Sequence, residues 1–554
     1  MNGYPEAVGV VLSQSTTREA TCQLLEEAEQ GGIREGMLLV IETSAHKRRL
    51  LARVSEIVPY NAFYTEGDPW SEARRKNLPL PEHVARRYEV CKLELLVELP
   101  GTNEITIPPH PGDRVLRIDP KTAREEIFGV REAERGVIWF GTQAGYEGSP
   151  VPLDIEAIPM HMAVFGVTGS GKSFDMGALT ERLVSIPVAP NRAVSFPMLI
   201  IDAHGDYLEY ARYRAEGGDL GAVDSVVRYV FPDAWRRLRT ADRDWSRRLE
   251  PIGINLDNLG ARDLAELIVQ FYGGVGSELQ IHGLERTFTE MLDAGWTLSS
   301  LLTSGYEQLE AQVKKKSASE IHDAAKGAIL RALAKFRETE DRYQLFSHRS
   351  PLQDGGWVDD LTRRGNIAIV DFSAEGAPGV ELPVKQLVMT YLATVLFASF
   401  TQYKVRGEDR YLLFVIEEAQ NFCPAPSYPV GAALAKTKLS AIATQGRKFG
   451  LGLCLISQRP SFVDGIVLSM CNSFFIHRIS PEDVSFVRTI TGGLPPGLLS
   501  RLTKLGRGEL IVTGQLSKVP FPLVVKVEAE DRKVPHPVGT TEVVKNLARL
   551  RGVQ

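Results

Sequence analysis

Between Val164 and Ser173 the chain reads Val-Phe-Gly-Val-Thr-Gly-Ser-Gly-Lys-Ser: a buried apolar run, a glycine-rich turn, then a Lys-Ser pair that opens a helix. The spacing G-x-x-x-x-G-K-S is that of a phosphate-binding loop. Gly166 and Gly171 let the backbone take conformations that a Cβ forbids. The N–H groups of the loop, with Thr168, Gly169 and Ser170 at its crown, then turn inward toward phosphate oxygens, backed by the positive end of the helix that Phe174 continues. Lys172 supplies a cation to the β- and γ-phosphates, and the Ser173 hydroxyl supplies a ligand for Mg2+. The ligand this predicts is ATP with Mg2+. The strand-like Met162-Ala163-Val164-Phe165 before the loop and the helical spacing of Met176-Gly177-Ala178-Leu179 after it supply the strand, loop and helix that the motif needs.

Two further stretches carry chemistry that a phosphate loop would use. Leu412 to Glu418 is an apolar run that ends in two carboxylates. Glu417 is placed to hold Mg2+ through water, and Glu418 to orient and activate the attacking water. Neighbouring side chains on a strand point to opposite faces, so two adjacent carboxylates pack poorly on a strand this apolar unless they have a task. Thr444-Gln445-Gly446-Arg447-Lys448-Phe449-Gly450 stands directly before a strand that ends in Ser457-Gln458-Arg459-Pro460. Gln458, a polar side chain at a buried strand end, suits a γ-phosphate sensor. The Gly-Arg-Lys turn suits an oligomer that pushes the Arg447 guanidinium into a neighbour's site, where it stabilises transition-state charge; the alternative is a surface Arg-Lys pair. Asp202 ends the run Met198-Leu199-Ile200-Ile201 and reads either as a loop carboxylate or as a site carboxylate near the metal or the water.

These residues need a scaffold, and the alternation of apolar strands with helical segments predicts an α/β fold with a mostly parallel sheet. Met198 to Asp202, Asn366 to Asp371, Tyr411 to Glu418, Gly452 to Gln458 and Phe474 to Arg478 read as its strands, and Pro383 to Phe400 as a helix. The apolar stretch Leu387 to Phe400 is too short to span a bilayer and reads as a buried helix. Residues 258–350 show 3.6-residue apolar periodicity without strand signals, which predicts a helical insertion. It holds Lys314-Lys315-Lys316, either a solvated face or, in a ring, phosphate contacts lining a pore. Upstream, short β-rich runs from Val8 to Val97 predict a small N-terminal β-barrel within residues 1–115. His46 to Arg49 reads as a hairpin, the segment Tyr60 to Tyr88 with Trp70, Pro79 and Pro81 as a long insertion, and Pro108-Pro109-His110-Pro111-Gly112 as a linker. The expected order is then barrel, first core part over 116–257, insertion, second core part over 351–530, and a charged tail over 531–554. With 554 residues there is chain for several domains, and a net charge of −5 gives no global pull on nucleic acid, so any such contact is local. The cysteines Cys22, Cys91, Cys423, Cys454 and Cys471 are odd in number and lack metal-ligand spacing, which points to a reducing, cytoplasmic compartment. No signal-peptide pattern opens the chain.

Taken together, Gly166 to Ser173, Ile201-Asp202-Ala203-His204-Gly205-Asp206-Tyr207, Ile416-Glu417-Glu418-Ala419-Gln420, Gly446 to Gly450 and Ser457-Gln458-Arg459-Pro460-Ser461 resemble the HerA branch of the HerA/FtsK translocase superfamily. The resemblance covers most of the chain. It implies a RecA-like P-loop ATPase core with an N-terminal barrel of the branch's type, a helical insertion and a C-terminal brace. It also implies a homohexamer that translocates double-stranded DNA by hydrolysing ATP. Such proteins work with a NurA-type nuclease in DNA end processing or with other effectors in antiphage defence. Carried over by motif, Lys172 and Ser173 bind phosphate and Mg2+, Glu418 is the catalytic carboxylate, Gln458 the sensor and Arg447 the trans-acting finger, with Arg478 as a second candidate. One position departs: the family has Asp where Glu417 stands, which keeps the charge and moves it by about one methylene. A reading of a different class is a nucleotide-gated ring scaffold that assembles and activates a partner nuclease or NAD-consuming effector, with movement on DNA secondary.

Overall fold

The computed structural model describes residues 6–26, 28, 32–61, 64, 71–78, 88–118, 123–130, 134–144, 149–241, 248–272, 278–317, 321–429, 433–536 and 548–550. Trp70, Pro79 and Pro81, and most of the tail beyond 536, lie outside the described residues. The chain forms two compact units, one made of Met1–Lys172, Ile186–Ala193 and Ile456–Glu528, the other of Ser173–Ser185, Val194–Leu455 and Ala529–Gln554.

The first unit contains a closed barrel. Its strands run in the order Ala7–Val11, Glu19–Leu24, Tyr88–Leu99, Arg49–Tyr60, Leu38–Glu42 and Arg114–Arg117, and the last pairs back to the first. Alternation builds it: along Tyr88–Leu99, Cys91, Leu93, Leu95, Val97 and Leu99 are buried while Lys92 is exposed. Residues 108–112, expected to be a linker between domains, instead connect two strands of the barrel and lead into the strand that closes it. Arg-Val-Leu-Arg at Arg114–Arg117 is too short to show its period, so the prolines before it look like a boundary. The same unit holds Met162–Phe165 parallel to Ser473–Ile476, followed by the antiparallel strands Glu509–Gly514, Leu523–Lys526, Val137–Gln143 and Pro150–Asp154.

The second unit is built on a parallel sheet. Its strands run Leu249–Pro251, Val226–Val230, Ile367–Asp371, Met198–Asp202, Leu412–Ile416, then Leu451 onward. Every residue of Ile367–Asp371, Met198–Asp202 and Leu412–Ile416 is buried, which is why these runs are apolar without alternation. The helix Leu382–Val405 is 24 residues long, longer than its apolar stretch suggested, and long and apolar enough by composition to cross a membrane. Its residues Leu387 to Ala393 are all buried within this unit.

The helices Ala261–Tyr272, Glu278–Asp293, Leu298–Leu302, Tyr306–Lys315 and Asp323–Tyr343 follow one another, with no strand between them among the described residues. On Asp323–Tyr343, Ile329, Ala332, Leu333 and Phe336 form the buried stripe that the 3.6-residue period requires. The lysine triplet does not form one face. Lys316 is buried and ion-paired with Glu290 on the neighbouring helix, Lys314 pairs with Glu310 at 3.1 Å, and Lys315 is exposed.

Candidate functional site

In the first unit, Met162–Phe165 carries the chain into the glycine loop. Gly166 N–H donates to the Ser457 carbonyl at 3.3 Å, Val167 N–H to the Arg478 carbonyl at 2.8 Å, and His477 N–H to the Phe165 carbonyl at 2.9 Å. The loop is therefore fastened to two strand ends before any ligand arrives. A Cβ on Gly166 would stand 2.6 Å from both the His477 Cβ and the Ser170 Oγ, so only glycine fits. Gly169 and Gly171 take φ of 75° and 110°, the region glycine favours. The Lys172 ammonium curls over the loop and donates to the carbonyls of Gly166 at 2.6 Å and Val167 at 3.2 Å. Thr168 Oγ1 donates to Gln458 Oε1 at 2.7 Å, which brings the expected sensor onto the crown of the loop.

His477 lies fully buried beneath the loop, and the sequence reading missed its place there. Burial, aided by the Lys172 charge, pushes its pKa down to about 3, so it packs as a neutral ring. The one sequence signal was a polar residue directly after the apolar run Phe474-Phe475-Ile476. Arg478, next in the chain, is exposed, and its carbonyl accepts the Val167 N–H of the loop.

In the second unit, the register Ile201↔Ile416 brings Asp202, the last residue of its strand, level with Glu417, the first residue past Leu412–Ile416. Asp202 is fully buried. It accepts N–H groups from His204 at 3.2 Å, Gly205 at 2.7 Å and Asp206 at 3.1 Å on one oxygen, and Tyr207 at 2.9 Å on the other. That geometry makes it the loop carboxylate of the two readings open for it. Burial, with the Asp371 charge alongside, pushes its pKa up to about 6 despite those donors. Asp371 in turn is level with Asp202 and is clasped by the buried Arg228, whose Nε reaches it at 3.0 Å.

Glu417 is 3% exposed and accepts the Ala203 N–H at 3.0 Å. Burial first, and the Asp202 charge second, hold its carboxyl well above the usual range. Glu418 turns out of the strand through a left-handed backbone, φ 48°, a conformation few non-glycine residues adopt. Its Oε1 lies 3.2 Å from His204 Nε2, and Gln420 Nε2 donates to its Oε2. The contact with Glu418 raises the His204 pKa. Arg447 is exposed on the short turn Gly446–Phe449, which Gly450 ends with φ 86°.

The residues present fit a magnesium nucleotide. Ser170 Oγ is buried in the loop with no hydrogen-bond partner. Glu417 pays a desolvation cost for its charge that a divalent cation would offset. Among the described residues no group of three or more His, Cys, Asp or Glu forms a metal cage. Mg2+ does not need one, since it binds through one or two protein oxygens, water and phosphates.

A glycine loop with this spacing after a buried strand, with a carboxylate-ended strand in a parallel sheet, defines a nucleotide-binding P-loop ATPase. Residues 138–397 match the family described as "Helicase HerA, central domain". The chain is 25% identical to the DNA double-strand break repair helicase HerA of Saccharolobus solfataricus, over 95% of this chain and 93% of that one. It is 23% identical to the protein of the same description from Sulfolobus acidocaldarius, over 95% and 94%. Among solved structures, VirB4 of Thermoanaerobacter pseudethanolicus is similar with a TM-score of 0.49 at 16% identity, covering 72% of this chain and 98% of that one. Over residues 138–397 the chain is thus similar to the HerA central domain, and it is an enzyme that hydrolyses nucleotide.

Proposed function

We propose that the protein is an ATP-driven translocase of double-stranded DNA that acts as a homohexameric ring in DNA end processing, with a nuclease of the NurA type or another effector docked on it. What carries this reading is the likeness to DNA double-strand break repair helicases along 95% of the chain rather than over the nucleotide motifs alone. In the reading, Lys172 leaves the loop carbonyls for the phosphates of ATP, and the N–H groups of Gly169, Gly171, Lys172, Ser173 and Phe174 hold the remaining phosphate oxygens. Ser173, and Glu417 through water, would hold Mg2+, which would supply neutralisation of phosphate charge. Glu418 accepts a proton from the attacking water. Gln458 reports on the γ-phosphate through its bond to Thr168, and Arg447 of a neighbouring subunit stabilises the developing charge.

Hydrolysis by the purified protein is expected to rise when duplex DNA is added, and Lys172→Ala is expected to abolish it. Hydrolysis that duplex DNA leaves unchanged, together with no duplex binding at low salt, would overturn the translocase reading. Sedimentation with and without nucleotide tests the ring: a protein that stays monomeric while hydrolysing at full rate has no use for a trans-acting Arg447.

A further inference from the structure

The side chain of Glu418 is held by two others to which no motif role is assigned. It stands on a left-handed backbone just after Leu412–Ile416. Each oxygen has its own partner: Oε1 meets His204 Nε2 at 3.2 Å, and Oε2 accepts from Gln420 Nε2. The two partners come from different elements. Gln420 lies on the short turn Ala419–Asn421 that follows Glu418 and is 7% exposed. His204 lies on the loop after Met198–Asp202, and that loop is organised by the four N–H groups which Asp202 accepts. Asp202 thus sets the loop, the loop sets His204, and His204 sets one oxygen of Glu418.

An ionised carboxylate has about four acceptor positions. Two donors on different oxygens fix the plane of the group. A carboxylate on a single-bonded stem otherwise rotates freely, and a base misplaced by about 1 Å loses on the order of a hundredfold in rate. A non-glycine residue in the left-handed region is strained and persists only where its surroundings over-determine it. Here the surroundings do so on both sides of the carboxylate. His204 itself has a side chain 54% exposed, so its contact with Glu418 is not needed to fill the core.

We propose that His204 is a positioning residue for Glu418: its ring nitrogen donates to Oε1 and, with Gln420 on Oε2, aims the carboxylate at the attacking water. This rests on the reading of Glu418 as the hydrolytic base, and the test separates the two. Steady-state ATP hydrolysis is measured on the full chain for His204→Ala, His204→Gln, Glu418→Gln and the His204→Ala/Glu418→Gln double variant, with binding of a fluorescent ATP analogue and thermal melting as controls. His204→Ala is expected to lower kcat at least tenfold, with KM, analogue binding and melting unchanged. His204→Gln, whose amide nitrogen reaches a similar point, is expected to recover most of the rate. The double variant is expected to be no slower than Glu418→Gln alone, since removing the positioner of an absent base costs nothing further.

A His204→Ala protein with wild-type kcat, while Glu418→Gln is inactive, overturns this proposal and leaves the base intact. A raised KM at unchanged kcat overturns it as well, because His204 would then be touching substrate. A His204→Gln protein as slow as His204→Ala removes the hydrogen bond as the cause. Glu418→Gln with wild-type hydrolysis sinks the underlying reading instead.

Discussion

Replacing Arg532 by Ala is expected to loosen the C-terminal segment from the helix that follows the glycine loop. Arg532 has a side chain 4% exposed. Its Nε donates to Glu181 at 2.8 Å, one terminal nitrogen to the Phe174 carbonyl at 2.9 Å, and the other to Tyr210 Oη at 3.3 Å and the Val534 carbonyl at 3.4 Å. Its guanidinium carbon lies 5.2 Å from the centre of the Phe174 ring. Gly177 in that helix exists to admit it, since a Cβ there would stand 2.1 Å from the guanidinium. Glycine in a helix interior costs about 1 kcal/mol relative to alanine, a sacrifice this contact explains.

Glu181, 2% exposed, also accepts the N–H groups of Lys533 at 2.6 Å and Val534 at 3.2 Å. Removing one partner of a buried ion pair costs about 3–5 kcal/mol because the other charge stays buried. Glu181 keeps its two backbone donors, which argues for the lower end, about 3 kcal/mol, or a factor of about a hundred in a local opening equilibrium. Hydrogen exchange read on peptides covering residues 529–536 and the helix Lys172–Leu183 measures that opening directly. Protection in both peptides should fall by about two orders of magnitude. Arg532→Ala and Glu181→Ala together should cost less than their sum, with a coupling of about 2 kcal/mol. Protection that changes less than about threefold in Arg532→Ala, under about 0.7 kcal/mol, would refute the reasoning.

Burial raises the thiols of Cys22 and Cys91 from 9.0 to about 12, and all five cysteines are buried. Native protein at pH 8 should therefore leave Ellman's reagent unreacted until denaturant is added. The sign for stability follows: below pH 9 both thiols are protonated folded and unfolded. Between pH 9 and about 12 only the unfolded chain ionises them, so their contribution is lost as pH rises through that window, which urea midpoints at pH 8 and pH 11 will register. Lys316→Ala should cost about 1.5 kcal/mol or more by loss of its charged hydrogen bond to Glu290, whereas Lys314→Ala and Lys315→Ala should leave urea unfolding unchanged. If the latter two line a DNA channel, each will flatten the salt dependence of duplex binding, and an unchanged slope leaves them a solvated face.

Much of the site was legible because its chemistry is local. Gly166, Gly171, Lys172 and Ser173 sit within eight residues, so the strand, turn and helix N-terminus of a phosphate cradle are contiguous in sequence. Gln458 was legible in kind, as a polar residue at a buried strand end, though its bond to Thr168 spans 290 residues of chain. The barrel was legible from alternation in its longer strands, while its closing strand Arg114–Arg117 carried too few residues to show a period. The lysine triplet misled because adjacency in sequence is not adjacency on a helix. Residues about 100° apart around the axis face different ways, and Lys316 lies past the helix end, turned back into the packing.

By itself, then, the order of residues determined the loop, the fully buried parallel strands and the carboxylates at the end of one of them, since each depends on neighbours along the chain. Tertiary structure alone decided what those groups experience. The neutral imidazole of His477 under Gly166 and the hold of His204 on one oxygen of Glu418 come from register between strands far apart in sequence. Desolvation, charge and hydrogen-bond geometry act over a few ångströms in space, and only folding sets which residues stand that close.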